Sequence, residues 1–488
     1  MIKKSILLFF SVFLIEGPLL AQNNFQENFD SFFKDASNEF EDFRDRTNAQ
    51  YADFLLTSWK EFEAFSPVSE PYEKPVPPVP YKKKEEGKAA PAPVPFDVVV
   101  PVIKDNPKAK PVKPIKGKDC AKSETFDFHF DFHCYGMDLS VRVPSGKKFK
   151  LASVSPMDLS KGWKKLSGKD YDNTVADLLD IRSEKKLCDW AYLQVLWDFS
   201  EAYLEDGDSA TFLSAFLLSQ SGYKMRLGTD GNSLCFLYGT DFLLYEKAYF
   251  NLDGTNYFIY GDDKRNIMIA DIPYPDESGL SLIISGIQNL GEERSTDRSF
   301  SSDRYSVTAG CSVSLEQMKF FNTYPSSQIG GNFLTKWAIY AKTPLDDMVK
   351  EQLYPGLKKK IEGKSDVEAA DILLDFVQTS LEYDYDTNVW GRERAFFAEE
   401  TLYYPYCDCE DRSILYSHLI RDLLDLDVVL VYYPGHLATA VKFRDGPAGD
   451  YLQLPEGNFT ICDPTFIGAP VGNTMPSMDN NQAKVILL

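Results

Sequence analysis

A chain of 488 residues is longer than one ordinary domain and points to roughly two to four. With 44% hydrophobic and 26% charged residues, most of it belongs in globular cores. A formal charge of −21 would repel phosphate backbones, so no nucleic acid is expected as a partner.

Met1, Lys3 and Lys4 make a short basic start, and residues 5–15 form an apolar run ended by Glu16. With Ala21 and Gln22 as a cleavage point, residues 1–22 read as a secretory signal. The run is short for a membrane span, so no transmembrane anchor is expected after its removal; an uncleaved anchor is the competing reading. Export to the periplasm, cell surface or medium follows from the signal.

Residues 23–66 carry aromatic pairs every eleven residues: Phe29/Phe32, Phe40/Phe43, Tyr51/Phe54 and Phe62/Phe65. Eleven residues over three turns give about 3.67 per turn, so one helix of roughly 60 Å would hold them in a single stripe. Such a stripe needs a partner: its own protein, a second copy or another protein. Residues 67–118 hold thirteen of the 28 prolines and read as an extended tether. Residues 96–100 are the exception, able to add as a strand to a neighbouring sheet.

Residues 119–264 read as an α+β domain. Phe126, Phe128, Phe130 and Phe132 alternate with Asp127, His129, Asp131 and His133. The two histidines would stand about 13 Å apart on a strand, too far to share one metal ion, so the polar row reads as a solvated face. Cys120 and Cys134 are placed to bridge a hairpin. Residues 156–205 read as helical, and residues 211–227 as a helix followed by a strand. Residues 265–344 look β-rich, with a helical piece near 314–322. The eight cysteines are too few for a disulfide scaffold, and no CxxC pair suggests zinc. No metal or cofactor is expected.

Within 345–488, two helices precede Asp408, an N-cap for a helix opening at Cys409. A thiol there faces the positive end of the helix dipole and unpaired N–H groups, which lower its pKa and hold an oxyanion; Glu410 and Asp411 push the other way. A strand over 427–433 turns at Pro434 and Gly435 into a second strand opening with His436. A third strand, 459–462, runs into Asp463. This is a Cys–His–Asp layout. His418 lies nine residues along the helix from Cys409, on the opposite face, so His436 is its partner. Cys407 precedes the helix, and Cys462 alternates away from Asp463.

The three segments, CDCEDRSILYSHLI, YYPGHLATAVKF and a strand ending DPT, resemble the transglutaminase-like superfamily of bacterial cysteine peptidases over about residues 345–470. The resemblance implies a helix packed on an antiparallel sheet, with Cys409 as nucleophile, His436 as base and Asp463 as its orienting acid. Leu437 departs from members that carry an aromatic after the histidine. Some relatives use an upstream Trp at the oxyanion, which would be Trp390 here. The expected activity is hydrolysis of a peptide or amide substrate through an acyl-enzyme. The alternatives are protein-glutamine transamidation and a non-catalytic cell-envelope binding protein that keeps the fold. Residues 211–227 and the strands after them follow the same order, with Thr211 opposite Ser413 and Gly207 opposite Cys409. Residues 119–264 therefore read as a possible catalytically silent copy.

Overall fold

The computed structural model describes residues 43–82, 94–95, 98–100 and 128–488. Residues 1–42, which include the segment expected to be a signal, Cys120 and most of the segment 83–127 lie outside the described residues. The chain is a mixed α and β structure whose two large sheets are antiparallel except at the two edges of the second.

The long helix expected over residues 25–65 does not continue through its second half. Helix α1 covers residues 43–54. The chain then turns, and Trp59–Glu63 form strand β1. The Trp59 indole N–H caps the Leu55 carbonyl at 2.7 Å where the helix stops. The eleven-residue aromatic spacing thus crosses two kinds of element: Tyr51 is buried, Phe54 is half exposed, and Phe62 packs from a strand. Tertiary pairing overrides helical periodicity here, because a sheet edge offers the backbone a full ladder of partners. Of the described part of the stripe, Tyr51 and Phe62 pack on their own chain, while Phe43, Phe54 and Phe65 stay exposed.

After the exposed-face hairpin Phe128–Cys134 and Met137–Val143, helices α2 (Pro156–Leu166), α3 (Asp189–Leu204) and α4 (Gly207–Gln220) follow. On the hairpin, His129 and His133 are exposed as the alternation predicts, with His133 3.1 Å from Asp138. Strands β2 (Met225–Thr229), β3 (Leu234–Thr240), β4 (Tyr249–Leu252), β5 (Thr255–Ile259) and β6 (Asn266–Ala270) complete the first sheet, in the order β1-β6-β2-β3-β5-β4. This sheet curls. Ala64 N–H bonds Arg265 beside one edge, and the next residue, Phe65, bonds Tyr249 at the other. The region 265–344 is less β-rich than expected. Its first strand belongs to this sheet, and the remainder includes the helices Leu315–Thr323 and α5 (Thr335–Lys342).

The second sheet follows α6 (Asp366–Thr379) and α7 (Cys409–Leu424). It contains β7 (Val428–Tyr433), β8 (His436–Val441), β9 (Tyr451–Leu454), β10 (Gly457–Cys462) and β11 (Lys484–Leu487). Its inner order is β11-β7-β8-β10-β9, with Val94–Pro95 and Val98–Val100 added in parallel at the two edges. The central strands are apolar on both faces because both faces are covered. Leu430, Leu437 and Val441 join the main core under α7, while Val429, Val431 and Ala440 join a second cluster with Phe459 and Val485.

The two sheets share one topology. In each, a helix leads into a hairpin, then a second hairpin, then a strand that returns beside the first. The registers also coincide: Thr229 pairs Leu234 as Tyr433 pairs His436, and Leu237 pairs Ile259 as Thr439 pairs Cys462. Gly207, Leu234 and Tyr260 therefore stand where Cys409, His436 and Asp463 stand. The first sheet presents no Cys–His pair at these positions.

Helix α1 is tied down by one buried amide. Asn48 Oδ1 accepts from Trp163 Nε1 at 3.0 Å, the Tyr274 hydroxyl at 2.9 Å and Gln220 Nε2 at 3.3 Å. Removing it strands several buried donors at once. Asn48→Ala is expected to destabilise the fold by about 3 kcal/mol, read as a lower denaturation midpoint. A loss below about 0.5 kcal/mol would show that the amide network does not anchor the helix.

Candidate active site

Asp408 is the N-cap of α7 and Cys409 its first residue. Asp411 reaches back to accept the Asp408 N–H at 3.1 Å and also accepts the Phe396 N–H at 2.8 Å. The helix start is thereby fixed, and Ser413 Oγ donates to the Leu437 carbonyl at 2.9 Å, locking helix to strand one residue beyond His436.

The structure brings all three predicted residues into one region. His436 opens β8, and Asp463 follows β10. Their contact, His436 Nε2 to Asp463 Oδ2, is 2.9 Å with side chains 0% and 2% exposed. The other Asp463 oxygen accepts N–H groups from Thr465 at 2.9 Å and Phe466 at 3.3 Å. The remaining ring nitrogen, His436 Nδ1, is buried and has no hydrogen-bond partner. Cys409 and His436 line one narrow cleft, with Leu437, Trp337, Tyr432 and Glu393 among its other walls.

The electrostatics of this cleft are acidic. Burial pushes the Cys409 thiol well above its ordinary value, and Glu410 and Asp408 push it further; a contact with the Leu437 backbone works in the opposite direction. The Cys409 thiol donates to Glu410 Oε2 at 3.2 Å. The helix N-terminus is outweighed, and the thiol is neutral in this arrangement. Asp386, Glu393 and Glu410 bring carboxylate oxygens within 4.8 Å of one another. Burial, then Asp411 and Glu410, raises Asp386 to about 9. Burial, then Glu410, raises Glu393 to about 7. The cleft cation is Lys336, with a side chain 7% exposed. Burial opposes its charge, but Glu70 and Glu410 outweigh burial and hold it above the ordinary lysine value.

Several site residues were not foreseen. Gln378 on α6 spans the loop after Asp463, with Nε2 3.0 Å from the Asp463 carbonyl, 2.8 Å from that of Phe466 and 3.1 Å from that of Ala469. Nothing in its sequence context separates it from a surface helix position. Trp390 is not on the cleft wall. It stacks over the Arg394 guanidinium at 4.3 Å and meets Tyr404 edge-on. Trp337 takes the wall position instead, and its Nε1 is buried without an acceptor. An apolar helix ahead of the site was the available signal. His418 is buried away from the cleft, where burial first, and Arg421 and Lys350 next, push it well below the usual histidine value. Cys407 and Cys462 are buried and contact the carbonyls of Glu382 and Thr460. Cys134 is also buried, and no disulfide occurs among the described residues.

Comparison with protein-family models, curated proteins and solved structures finds no match for this chain.

The acid cluster makes stability fall with rising pH. A carboxyl held near 9 in the fold and at its ordinary low value when unfolded binds its proton more tightly in the native state. Its stabilisation is complete at about pH 4 and lost as pH rises through about 9. Asp386→Asn keeps an acceptor for the Arg394 N–H, now 2.6 Å away. The variant is expected to melt with wild type near pH 4 and above it at pH 8–9. Parallel melting curves across that range would contradict the assignment.

Proposed function

We propose that this chain is an exported cysteine peptidase or amidase with a transglutaminase-like core, in which Cys409 attacks a peptide or amide carbonyl. The observation that carries the reading is the state of His436. One ring nitrogen is committed to Asp463, and the other is buried and unpaired in the cleft that holds Cys409. A buried polar atom without a partner is costly, and a site that needs a proton acceptor explains its presence.

The roles follow from the geometry. Asp463 fixes the tautomer so that Nδ1 carries the lone pair. That nitrogen takes the proton from Cys409 Sγ as the sulfur bonds the substrate carbonyl carbon. The negative oxygen that forms is met by unpaired N–H groups at the start of α7 and by the Trp337 indole N–H. His436 then gives its proton to the leaving amine as the carbon–nitrogen bond breaks, leaving an acyl-thioester on Cys409. Water attacks this ester, gives its proton to Nδ1, and releases the acid while the thiol recovers its proton. Hydrolysis is preferred to transfer onto an amine because water is abundant and no lysine-donor site is apparent.

The test is turnover of a mixed synthetic peptide pool in H₂¹⁸O, read by mass spectrometry, with a primary-amine donor in a parallel reaction. Wild type is expected to generate new carboxyl termini carrying ¹⁸O. Cys409→Ala should generate none, and His436→Ala should lose at least about a hundredfold in rate. Amine incorporation in place of ¹⁸O would identify a transamidase. Binding of a partner by wild type and Cys409→Ala alike, with no turnover, would identify a binding protein.

A further inference from the structure

The proline-rich segment is not a free tether where it is described. Two anchors hold it. At one end Phe65 pairs with Tyr249 at the edge of the first sheet, and Val68 bridges Tyr245, which lies just after the short strand Phe242–Leu244. At the other, Val79 and Tyr81 pack with Phe466, Ala469 and Met475 just beyond Asp463, and the Tyr81 N–H bonds the Ile467 carbonyl at 2.8 Å. Between the anchors the chain crosses the mouth of the Cys409 cleft, and Pro71, Glu73 and Pro75 form part of its lining.

Polar groups fix the crossing, and Pro71 and Pro75 add apolar lining. Glu70 pairs with the buried Lys336. Glu73 Oε2 accepts from the Gly435 N–H at 2.7 Å and from the Tyr432 hydroxyl. The Val76 N–H donates to the Gly435 carbonyl at 2.9 Å. The Lys74 carbonyl passes so close to Gly435 that an added Cβ would sit 2.4 Å from it. Residues 71–74 are exposed, whereas Lys336, Tyr432, Cys409 and His436 are buried. The strap covers the site without sharing in a core between its anchors.

We infer that residues 69–76 are a self-bound occupant of the substrate cleft, and that the subsites they fill receive acidic side chains of an extended peptide. This rests on reading Cys409, His436 and Asp463 as a working site. A proline-rich stretch is extended and has no internal hydrogen bonds, so its backbone is available for docking, as a bound peptide's is. Val76 and Gly435 make such a backbone contact next to His436. The two carboxylates occupy the positions that select: Glu70 on the cleft's buried ammonium, and Glu73 on the Gly435 N–H and the Tyr432 hydroxyl. When the strap lifts, Lys336 loses its ion-pair partner and keeps only the more distant charge of Glu410, and the Gly435 N–H and Tyr432 hydroxyl lose their acceptor, which favours a peptide that returns a carboxylate to each place. While the strap is down, a substrate carbonyl cannot reach Cys409, which is only 4% exposed, so turnover by the wild-type chain passes through the lifted state. The strap is thus both a cover and a record of what the cleft binds.

The test measures labelling of Cys409 by a polymer-linked maleimide at pH 8, resolved by peptide mass spectrometry, in the full chain. Two variants lift the strap by different means. Glu70→Ala/Glu73→Ala removes both carboxylates. Val76→Pro removes the N–H and keeps the segment extended. Each should label at least tenfold faster than wild type at a temperature where it is fully folded, as shown by a single cooperative melting transition above that temperature. A synthetic peptide with the sequence of residues 69–76 should slow labelling of the double variant, and the same peptide with alanine at both glutamate positions should not. Equal labelling in wild type and both variants would overturn the cover. Equal protection by the two peptides would overturn the acidic subsites. Turnover separates this inference from the catalytic reading. Faster labelling with no peptide cleavage by any variant sinks the catalysis and leaves the cover standing. Cleavage with unchanged labelling does the reverse.

Discussion

His436 and Asp463 meet at 2.9 Å in a place that solvent scarcely reaches. Burying such a pair is expensive unless its remaining atoms are satisfied and its geometry is held. The second sheet is organised around that requirement. Strands β8 and β10 pair so that the residue opening one lies near the residue just after the other. Two backbone N–H groups complete Asp463, and Gln378 pins the loop that supplies them. Ser413 ties α7 to β8, which sets Cys409 against the same strand end. Of the side-chain polar atoms of this pair, His436 Nδ1 is the one left unmatched, and it is the atom on which the proposed chemistry turns.

The surrounding charge has the opposite character to an activated thiol site. Asp386, Glu393, Asp408, Glu410 and Asp411 crowd the start of α7, and burial pushes Asp386, Glu393, Asp408 and Asp411 above the usual carboxylate range. One lysine answers them in the cleft, and it is shared between Glu410 inside and Glu70 on the strap. The covered site is therefore a resting arrangement. Desolvation is the largest contribution holding the thiol neutral, and desolvation is what a cover imposes. This couples the N-terminal segment to the reactivity of a residue more than three hundred positions away.

Much of the site was legible in the sequence because its three members sit at element boundaries that carry local signals. Asp408 marks a helix start, Gly435 with φ +72° marks the turn before His436, and an apolar strand ends at Asp463. The helical reading of residues 156–205 rested on local signals of the same kind, as with Ser155, which caps the helix Pro156–Leu166. What failed depended on partners distant in sequence. Periodicity could not reveal that Trp59–Glu63 would find a sheet edge, nor composition that a proline-rich run would dock. The strand predicted near 96–100 did form at the sheet edge over Val98–Val100. Trp337 and Gln378 were missed because a wall tryptophan and a bridging amide look like ordinary helix residues until the fold assembles them.

The central claim is that His436 activates Cys409 once the cleft is open. The direct measurement is the pH dependence of Cys409 alkylation by iodoacetamide in the Glu70→Ala/Glu73→Ala protein, with and without His436→Ala. The account predicts reaction that persists to about pH 6 when His436 is present and collapses when it is replaced. Rates that climb only through the ordinary thiol range, about pH 8–9, in both proteins would contradict it.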